Sequence, residues 1–195
     1  MIFASNNEGK IKEIKEIFQK EKIQSLQEKK IKIEIKEDGQ TFYENALKKA
    51  KSIYEIKKEP VLADDSGLII TELKTWPGVY TNRFLGENKT DREKNMAIID
   101  VVNKKCQSRK AEVVCVLVYY DGKNIVTGEG KIKGNITKEP RGKNGFGFDE
   151  IFEYNNKTLA ELSPTEKNNL SARKIAEEEI KRKLERWWYV QNRNT

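Results

Sequence analysis

The 195-residue sequence contains no histidine, and this absence limits the chemistry that the protein can perform. Ser-His and Cys-His catalysis are excluded, because both use an imidazole as the general base. Acid-base chemistry is therefore left to carboxylates, lysines, tyrosines or a metal-bound water. Cys106 and Cys115 form no CxxC pair, so we expect two unpaired thiols rather than a disulfide.

Long hydrophobic runs are also missing. The longest purely apolar stretch is the eight residues from Val113 to Tyr120, whereas a membrane-spanning helix needs about 18 or more. The amino-terminal sequence MIFASNNEGK becomes polar at its fifth residue, so we expect neither a transmembrane helix nor a signal peptide. These absences predict a cytoplasmic protein.

Charge is what the sequence has in excess. Charged residues make up 35% of the chain, and 38 basic against 31 acidic residues give a net charge of +7. Such an excess suits an anionic partner, whether a nucleic acid, a phosphate ester or a membrane headgroup. Because no repeat or Pro/Ser-rich linker divides the chain, we predict a single α/β domain over residues 1–195, with a mixed sheet.

The hydrophobic pattern alternates between strand and helix periods. Ile2 to Ala4 predicts a short strand, which the polar loop from Ser5 to Lys10 joins to a helix. The alternating isoleucines of residues 31–35 predict a half-buried strand. Thr41 and Glu44 then form a capping box, which predicts the start of a second helix.

The loop from Ser5 to Lys10 is a candidate phosphate site. Free backbone N–H groups and the positive end of the helix dipole favour an anion there, and Lys10 adds a positive charge. This is not a Walker A loop, because Ile11 stands where a serine or threonine would hold magnesium. An ordinary capped helix start is the alternative.

Two adjacent carboxylates follow a predicted strand over Val61 to Ala63. We expect Asp64 to Gly67 to lie at its carboxyl end, where buried and unpaired carboxylates would be costly. Mg²⁺ or basic partners would neutralise them, with Glu37 as a second ligand, because Mg²⁺ commonly takes only one or two carboxylates. A solvated turn is the alternative, because Asp, Ser and Gly favour turns.

The segment from Gly145 to Asp149 places two phenylalanines beside glycines, which suits the stacking of a planar base. A hairpin with ordinary core residues is the alternative. Lys167 and Arg173 lie on a basic segment, which by itself indicates only a solvated helix face.

Six motifs together resemble one family. They are, in order, Ser5–Lys10, Glu37–Ala46, Ala63–Leu68, Pro77–Tyr80, Gly145–Asp149 and Leu162–Asn168. The sequence is similar to the inosine triphosphate pyrophosphatase family, the XTP/dITP diphosphatases that clear deaminated purine nucleotides. The resemblance spans nearly the whole chain.

The resemblance implies an α/β fold with a long twisted mixed β-sheet and flanking helices, two lobes around a central cleft, and usually a homodimer. It implies hydrolysis of ITP, dITP or XTP between the α and β phosphates. The products would be the nucleoside monophosphate and pyrophosphate, and the cofactor would be Mg²⁺.

The resemblance also implies roles for individual residues. Asp65 matches the family's proton acceptor and, with Glu37, its metal ligands; Asp64 lies beside them. The positions that match phosphate- and substrate-binding residues are Ser5, Asn6, Asn7, Glu8, Gly9, Lys10, Lys49 and Ser66. The positions that match base-recognition residues are Phe146, Gly147, Phe148, Asp149, Lys167 and Arg173.

The chain departs from the family pattern at three places. Where the family typically has Ser-His-Arg, this chain has Ser171-Ala172-Arg173, so one side chain of the base pocket is missing. Lys74-Thr75 replaces a usual Gly-Gly, and Ser5-Asn6 replaces a usual Thr-Gly.

Two other functions stay open. One is a related pyrophosphatase of the septum-inhibitor type, which would act on dTTP or modified pyrimidines. The other is a basic nucleic-acid-binding module. The scattered lysines, the acidic Asp64-Asp65 pair and the lack of an RNP or helix-turn-helix signature disfavour this second function.

Overall fold

The structure is a computed structural model that describes residues 1–86 and 88–191, with side chains as far as residue 186. Its helices are α1 (Glu8–Ile17), α2 (Phe42–Lys57), α3 (Asp91–Lys105), α4 (Pro164–Leu170) and α5 (Ala172–Gln191). Short 3₁₀ turns cover Thr71–Leu73, Gly78–Tyr80 and Leu159–Glu161. No helix in these described ranges combines the length and the apolar character of a membrane span.

Seven strands form one mixed sheet. They are β1 (Ile2–Phe3), β2 (Gln24–Ser25), β3 (Val61–Ile70), β4 (Lys110–Tyr120), β5 (Ile125–Ile136), β6 (Phe152–Tyr154) and β7 (Lys157–Thr158). Their order is β2-β1-β3-β4-β5-β6-β7. β1 runs parallel to β2 and β3, whereas β6 is antiparallel to β5 and β7. The predicted α/β class and mixed sheet are confirmed.

The chain divides into two compact units. The first comprises Met1–Asp65, Cys115–Gly130 and Ala172–Thr195, and the second comprises Ser66–Val114 and Lys131–Ser171. The long strands β3, β4 and β5 contribute residues to both. A single domain over residues 1–195 and a central cleft stay predictions. Cys115 is buried, Cys106 is half-buried, and neither forms a disulfide, as expected.

The predicted start of the second helix at Thr41 is confirmed. Thr41 and Glu44 form a reciprocal capping box at α2, and Ser163 and Glu166 form another at α4. Asn7 caps α1. These interactions join residues only three positions apart, and the sequence pattern therefore predicts them well.

The strand predicted over residues 31–35 is wrong. The segment keeps the alternation, with Ile31 buried, Ile33 half-buried and Lys32 exposed between them, but it belongs to no strand of the sheet. The period of the sequence determines which side chains face inward. A ladder additionally needs a neighbouring strand, and sequence period carries no information about that neighbour.

The expected position of Asp64 to Gly67 at a strand end is also wrong, because these residues lie in the middle of the ten-residue strand β3. The solvated-turn alternative is excluded as well, since Asp64 is 0% and Asp65 is 3% exposed. The predicted break was based on turn-forming residue types, and pairing within the sheet overrides that local preference.

Two glycines of β5 allow the backbone of α5 to lie directly on the strand. A Cβ atom at Gly130 would be 1.9 Å from the carbonyl oxygen of Ala172, and one at Gly128 would be 2.0 Å from that of Ala176. Any larger residue would push the helix away from the sheet. The start of α5, which carries Arg173, is held in place by this close approach.

Candidate active site

The segment from Ser5 to Lys10 joins β1 to α1, but only its residues up to Asn7 form the loop, because Glu8, Gly9 and Lys10 are the first residues of α1. The side chain of Asn7 accepts the backbone N–H of Lys10 at 3.0 Å, and the hydroxyl of Ser5 accepts the N–H of Asn7 at 3.2 Å. In this segment Asn6, Asn7 and Glu8 are exposed, and Ser5 and Gly9 are half-buried. The amino end of α1 is therefore open to the surface and suits an anion.

Lys10 is buried, and its ammonium group lies 3.0 Å from the carboxylate of Asp64. Asp64 also accepts a hydrogen bond of 2.9 Å from the Arg173 guanidinium, which forms a further ion pair with Glu13 of α1. We call Glu13, Arg173, Asp64 and Lys10 the Asp64 network. This network connects α1, β3 and the start of α5.

The charges around Asp64 decide its ionisation. Burial opposes ionisation of this carboxyl, but the positive charges of Lys10, Arg173 and Lys49 outweigh burial and hold its pKa well below the usual range. Asp64 is thus a permanent counter-charge for its basic neighbours. Its carboxylate is committed to these cations, which explains why a buried acid is tolerated at this position.

Asp65 has a different hydrogen-bond partner from Asp64, because successive side chains of a strand leave opposite faces of the sheet. Its carboxylate accepts a hydrogen bond of 2.8 Å from the amide of Asn45 on α2. Burial raises the pKa of Asp65, and Glu37 adds to the effect, although Lys49 and Lys10 oppose it. A carboxyl group with a raised pKa is a better proton acceptor than an ordinary aspartate.

Lys49 lies on the buried face of α2, and its ammonium group is 2.5 Å from the carboxylate of Glu37. Burial would lower the pKa of Lys49, but the carboxylates of Asp64, Asp65 and Glu37 outweigh that effect and raise it. Lys49 is therefore a stable positive charge among three acids. Its predicted contact with substrate phosphates stays a prediction.

Glu37 and Asp65 fit the requirements of Mg²⁺. Each carboxylate lies within the electrostatic reach of the other, since Glu37 raises the pKa of Asp65, and a divalent cation would neutralise this repulsion. Within residues 1–86 and 88–191 no cluster of three or more Asp, Glu, Cys or His side chains has the arrangement of a metal site. Two carboxylates suffice for Mg²⁺, because water and substrate phosphates complete its shell.

Asn45 belongs to the site, although no pattern in the sequence predicted a role for it. It is completely buried; its amide donates to Asp65, and its oxygen accepts the backbone N–H of Gly39 at 2.8 Å. Asn45 thus joins the segment that carries Glu37 to the strand that carries Asp65. The available signal was a polar residue on the apolar face of α2, beside Ala46.

The second unit brings most of the predicted base-recognition residues together. The carboxylate of Asp149 accepts the N–H of Phe146 at 2.8 Å and the ammonium of Lys167 at 2.5 Å. The same ammonium lies 4.4 Å from the centroid of the Phe146 ring. This cluster offers a flat ring, a cation and a carboxylate, which together suit a planar base with a hydrogen-bonding edge.

Of the other predicted substrate residues, two lie in the loop of this cluster and two lie elsewhere in the chain. Gly147 and Phe148 are half-buried in the same loop, and Ser66 is half-buried on β3. Arg173, which the resemblance groups with the base, forms its ion pairs with Glu13 and Asp64 inside the first unit. Its role toward a base stays a prediction.

Comparison with known proteins identifies the family. The model of the Ham1 family matches residues 1–183. The chain belongs to the Ham1 family.

Two relatives of this Ham1 protein bear the name dITP/XTP pyrophosphatase. The protein from Aquifex aeolicus (strain VF5) is 44% identical over 183 residues, which cover 89% of this chain and 90% of the relative. The protein from Bacillus subtilis (strain 168) is 41% identical over 192 residues, which cover 94% and 96%. The predicted family resemblance is confirmed.

Solved structures of Ham1 proteins share the fold. The protein from Coxiella burnetii gives a TM-score of 0.85 at 36% identity, over 95% of this chain and 98% of its own. The Ham1 protein of Staphylococcus aureus gives 0.83 at 34% identity, over 94% and 97%. The long mixed sheet that the resemblance implied is therefore the Ham1 fold.

Two departures from the family pattern take a specific form in this Ham1 protein. Lys74, which stands in place of a usual glycine, has φ 59° and ψ −92°, a region that strains a residue with a side chain. Ala172, which stands in place of a usual histidine, is the first residue of α5 and is 2% exposed. The first departure strains the backbone, and the second removes a side chain next to Arg173.

Proposed function

We propose that this Ham1 protein is a nucleoside triphosphate pyrophosphatase. It hydrolyses ITP, dITP and XTP to the nucleoside monophosphate and pyrophosphate and so clears deaminated purines from the nucleotide pool. Relatives named dITP/XTP pyrophosphatase, 44% and 41% identical over most of the chain, support this substrate class. The observation that carries the chemistry is the buried carboxylate of Asp65, which accepts a hydrogen bond of 2.8 Å from Asn45 on α2, the helix whose Lys49 pairs with Glu37.

The first unit supplies the phosphate chemistry. The amino end of α1 binds phosphate oxygens through its backbone N–H groups, and Lys10, fixed by Asp64, adds a positive charge. Asp65 accepts the proton of the attacking water at its carboxylate, which Asn45 orients through Oδ2. Glu37 and Asp65 would hold Mg²⁺, which would neutralise phosphate charge and lower the pKa of the attacking water.

The second unit supplies nucleobase selection. The ring of Phe146 stacks on the base, and the ammonium of Lys167 donates toward the 6-oxo group of hypoxanthine or xanthine. Adenine presents an amino group there, which leaves a donor facing a donor. Sites built on hydrogen bonds reject such analogues strongly.

Homodimer formation and a cytoplasmic location stay part of the proposal. The family resemblance supports the dimer, and nucleotide substrates agree with the cytoplasm. The net charge of +7 suits an anionic nucleotide.

The decisive experiment is a substrate panel of ITP, XTP, dITP, dTTP and ATP with Mg²⁺ or with EDTA, and the products are separated by ion-exchange chromatography. We expect IMP and pyrophosphate from ITP, little turnover of dTTP, and no turnover in EDTA. Orthophosphate with IDP would contradict the proposed bond cleavage, and preference for dTTP would favour the septum-inhibitor type. The Asp65→Asn variant is the inactive control.

The nucleic-acid alternative is tested separately by fluorescence anisotropy with labelled duplex DNA at physiological salt. We expect only weak binding, because the basic residues are spread over many segments. A submicromolar dissociation constant would favour the nucleic-acid module instead.

A further inference from the structure

The loop that carries Phe146 and Asp149 is held by hydrogen bonds from α3, a helix that contributes no residue to the candidate active site. Asn95 of α3 donates from its side-chain amide to the carbonyl oxygen of Gly147 at 2.9 Å. Asp91, one turn earlier, accepts the backbone N–H of Gly147 at 2.6 Å. The backbone N–H and the carbonyl oxygen of Gly147 are thus both bound by side chains of α3.

The spacing of the two side chains on α3 explains this geometry. Residues four positions apart lie on the same face of a helix, one turn above the other. Asp91 is the first residue of α3, after the Thr90 cap, and its side chain is exposed, whereas Asn95 is 2% exposed. A buried amide is unfavourable unless it has a partner, and the carbonyl of Gly147 provides one.

Gly147 has a backbone conformation that hydrogen bonds can fix. Its φ of 61° is left-handed, and a Cβ atom there would meet nothing within 4 Å. The space beside it is therefore open, and a glycine has the widest choice of backbone conformations. The hydrogen bonds from Asp91 and Asn95 hold Gly147 in one of these backbone conformations.

The neighbours of Gly147 are the groups expected to contact the base. Phe146 immediately precedes it, and Asp149, two residues later, binds both the N–H of Phe146 and the ammonium of Lys167. A rotation at Gly147 would therefore move the ring and the carboxylate relative to each other. The other end of the loop is held separately, because Lys143 and Asn144 donate their N–H groups to the carbonyl of Ala160.

We propose that Asp91 and Asn95 are positioning residues that hold Gly147 and thereby fix the Phe146–Asp149 loop for nucleobase selection. The inference rests on the proposed function, since it assumes that this loop contacts the base. It assigns the two residues no part in proton transfer or phosphate binding. Loss of the anchor should therefore weaken base selection far more than turnover.

The test compares Asp91→Ala with Asp91→Asn and Asp100→Ala. Asp91→Ala removes the acceptor at an exposed position, where the fold tolerates the change, and Asp91→Asn restores an oxygen acceptor without the charge. Asp100→Ala is the matched control, because Asp100 is exposed on the same helix and pairs with Lys104. Asn95→Ala removes the second anchor and is measured as an independent variant.

Steady-state kinetics with XTP, ITP and ATP give the functional readout. For Asp91→Ala and Asn95→Ala we expect KM for XTP to rise about 10-fold and selectivity over ATP to fall by a similar factor, with kcat changed less than about 3-fold. Asp91→Asn should recover most of the selectivity. Unchanged selectivity in both alanine variants, or an equal loss in Asp100→Ala, would overturn the inference.

Hydrogen exchange measured by mass spectrometry gives a readout that needs no substrate. Peptides over residues 143–150 should exchange faster in Asp91→Ala than in wild type, and Asp91→Asn and Asp100→Ala should match wild type. Unchanged exchange would overturn the anchoring itself. If wild type fails to hydrolyse XTP while exchange responds as expected, the proposed function fails and the anchor stands.

Discussion

The stability of the protein should respond very differently to the same substitution at the adjacent residues Asp64 and Asp65. Asp64→Asn removes a negative charge that is 0% exposed and lies 3.0 Å from Lys10 and 2.9 Å from Arg173. Removing one partner of a buried ion pair costs about 3–5 kcal/mol, because the remaining charge stays buried without its counter-charge. We therefore expect Asp64→Asn to lower the free energy of unfolding by about 3–5 kcal/mol.

Asp65→Asn should leave the free energy of unfolding nearly unchanged. Burial already disfavours the ionised form of Asp65 and raises its pKa, so a neutral amide of the same shape removes an unfavourable charge. Its oxygen can still accept the hydrogen bond of Asn45. We expect a change within about 1 kcal/mol, together with the loss of most pyrophosphatase activity.

The assay is urea denaturation followed by far-UV circular dichroism in EDTA, so that no metal ion contributes to stability. Asp38→Asn is the control, because Asp38 is an exposed carboxylate paired with Lys48, and its midpoint should hardly move. Equal destabilisation by Asp64→Asn and Asp65→Asn would refute the assignment of different environments. A fully stable Asp64→Asn variant would refute the Asp64 network.

The pH dependence of this difference follows from the pKa of Asp64. Its folded pKa is lowered from the ordinary value of 3.8, so its stabilisation is complete above about pH 4 and is lost as the pH falls through the folded pKa. The gap between wild type and Asp64→Asn should be constant from about pH 5 to 8 and shrink below about pH 4. A gap that narrows already near neutral pH would contradict this explanation.

Three further substitutions test other parts of the structure. Gly130→Ala should lower the free energy of unfolding by about 1–3 kcal/mol, because its Cβ atom would collide with the carbonyl of Ala172; an unchanged melting temperature would contradict this contact. Lys74→Gly should raise the free energy of unfolding by about 0.5–1 kcal/mol in the same denaturation assay, because a glycine adopts the φ of 59° without strain. Ala172→His should widen the preference for ITP over ATP about 10-fold or more, provided that the imidazole restores a donor; an unchanged ratio of specificity constants means that the histidine has no role in base choice here.

Local signals in the sequence determined where helices begin and which family the chain belongs to. The capping boxes at Thr41 and Ser163 fix helix starts through contacts three residues apart, and the loop from Ser5 to Lys10 lies where a strand passes into a helix. The motif order also identified the family, because it depends only on residue types and their spacing.

Only the tertiary structure decided which partners the buried polar residues have and whether they are ionised. Asp64 and Asp65 are neighbours in sequence, but one faces Arg173, 109 residues away, and the other faces Asn45 on a different helix. Their ionisation depends on burial and on charges brought by distant segments, and no local pattern encodes either. The anchoring of Gly147 by Asp91 and Asn95, more than 50 residues earlier in the chain, has the same origin. Such contacts are set by the packing of helices and strands, which is decided by the whole chain at once.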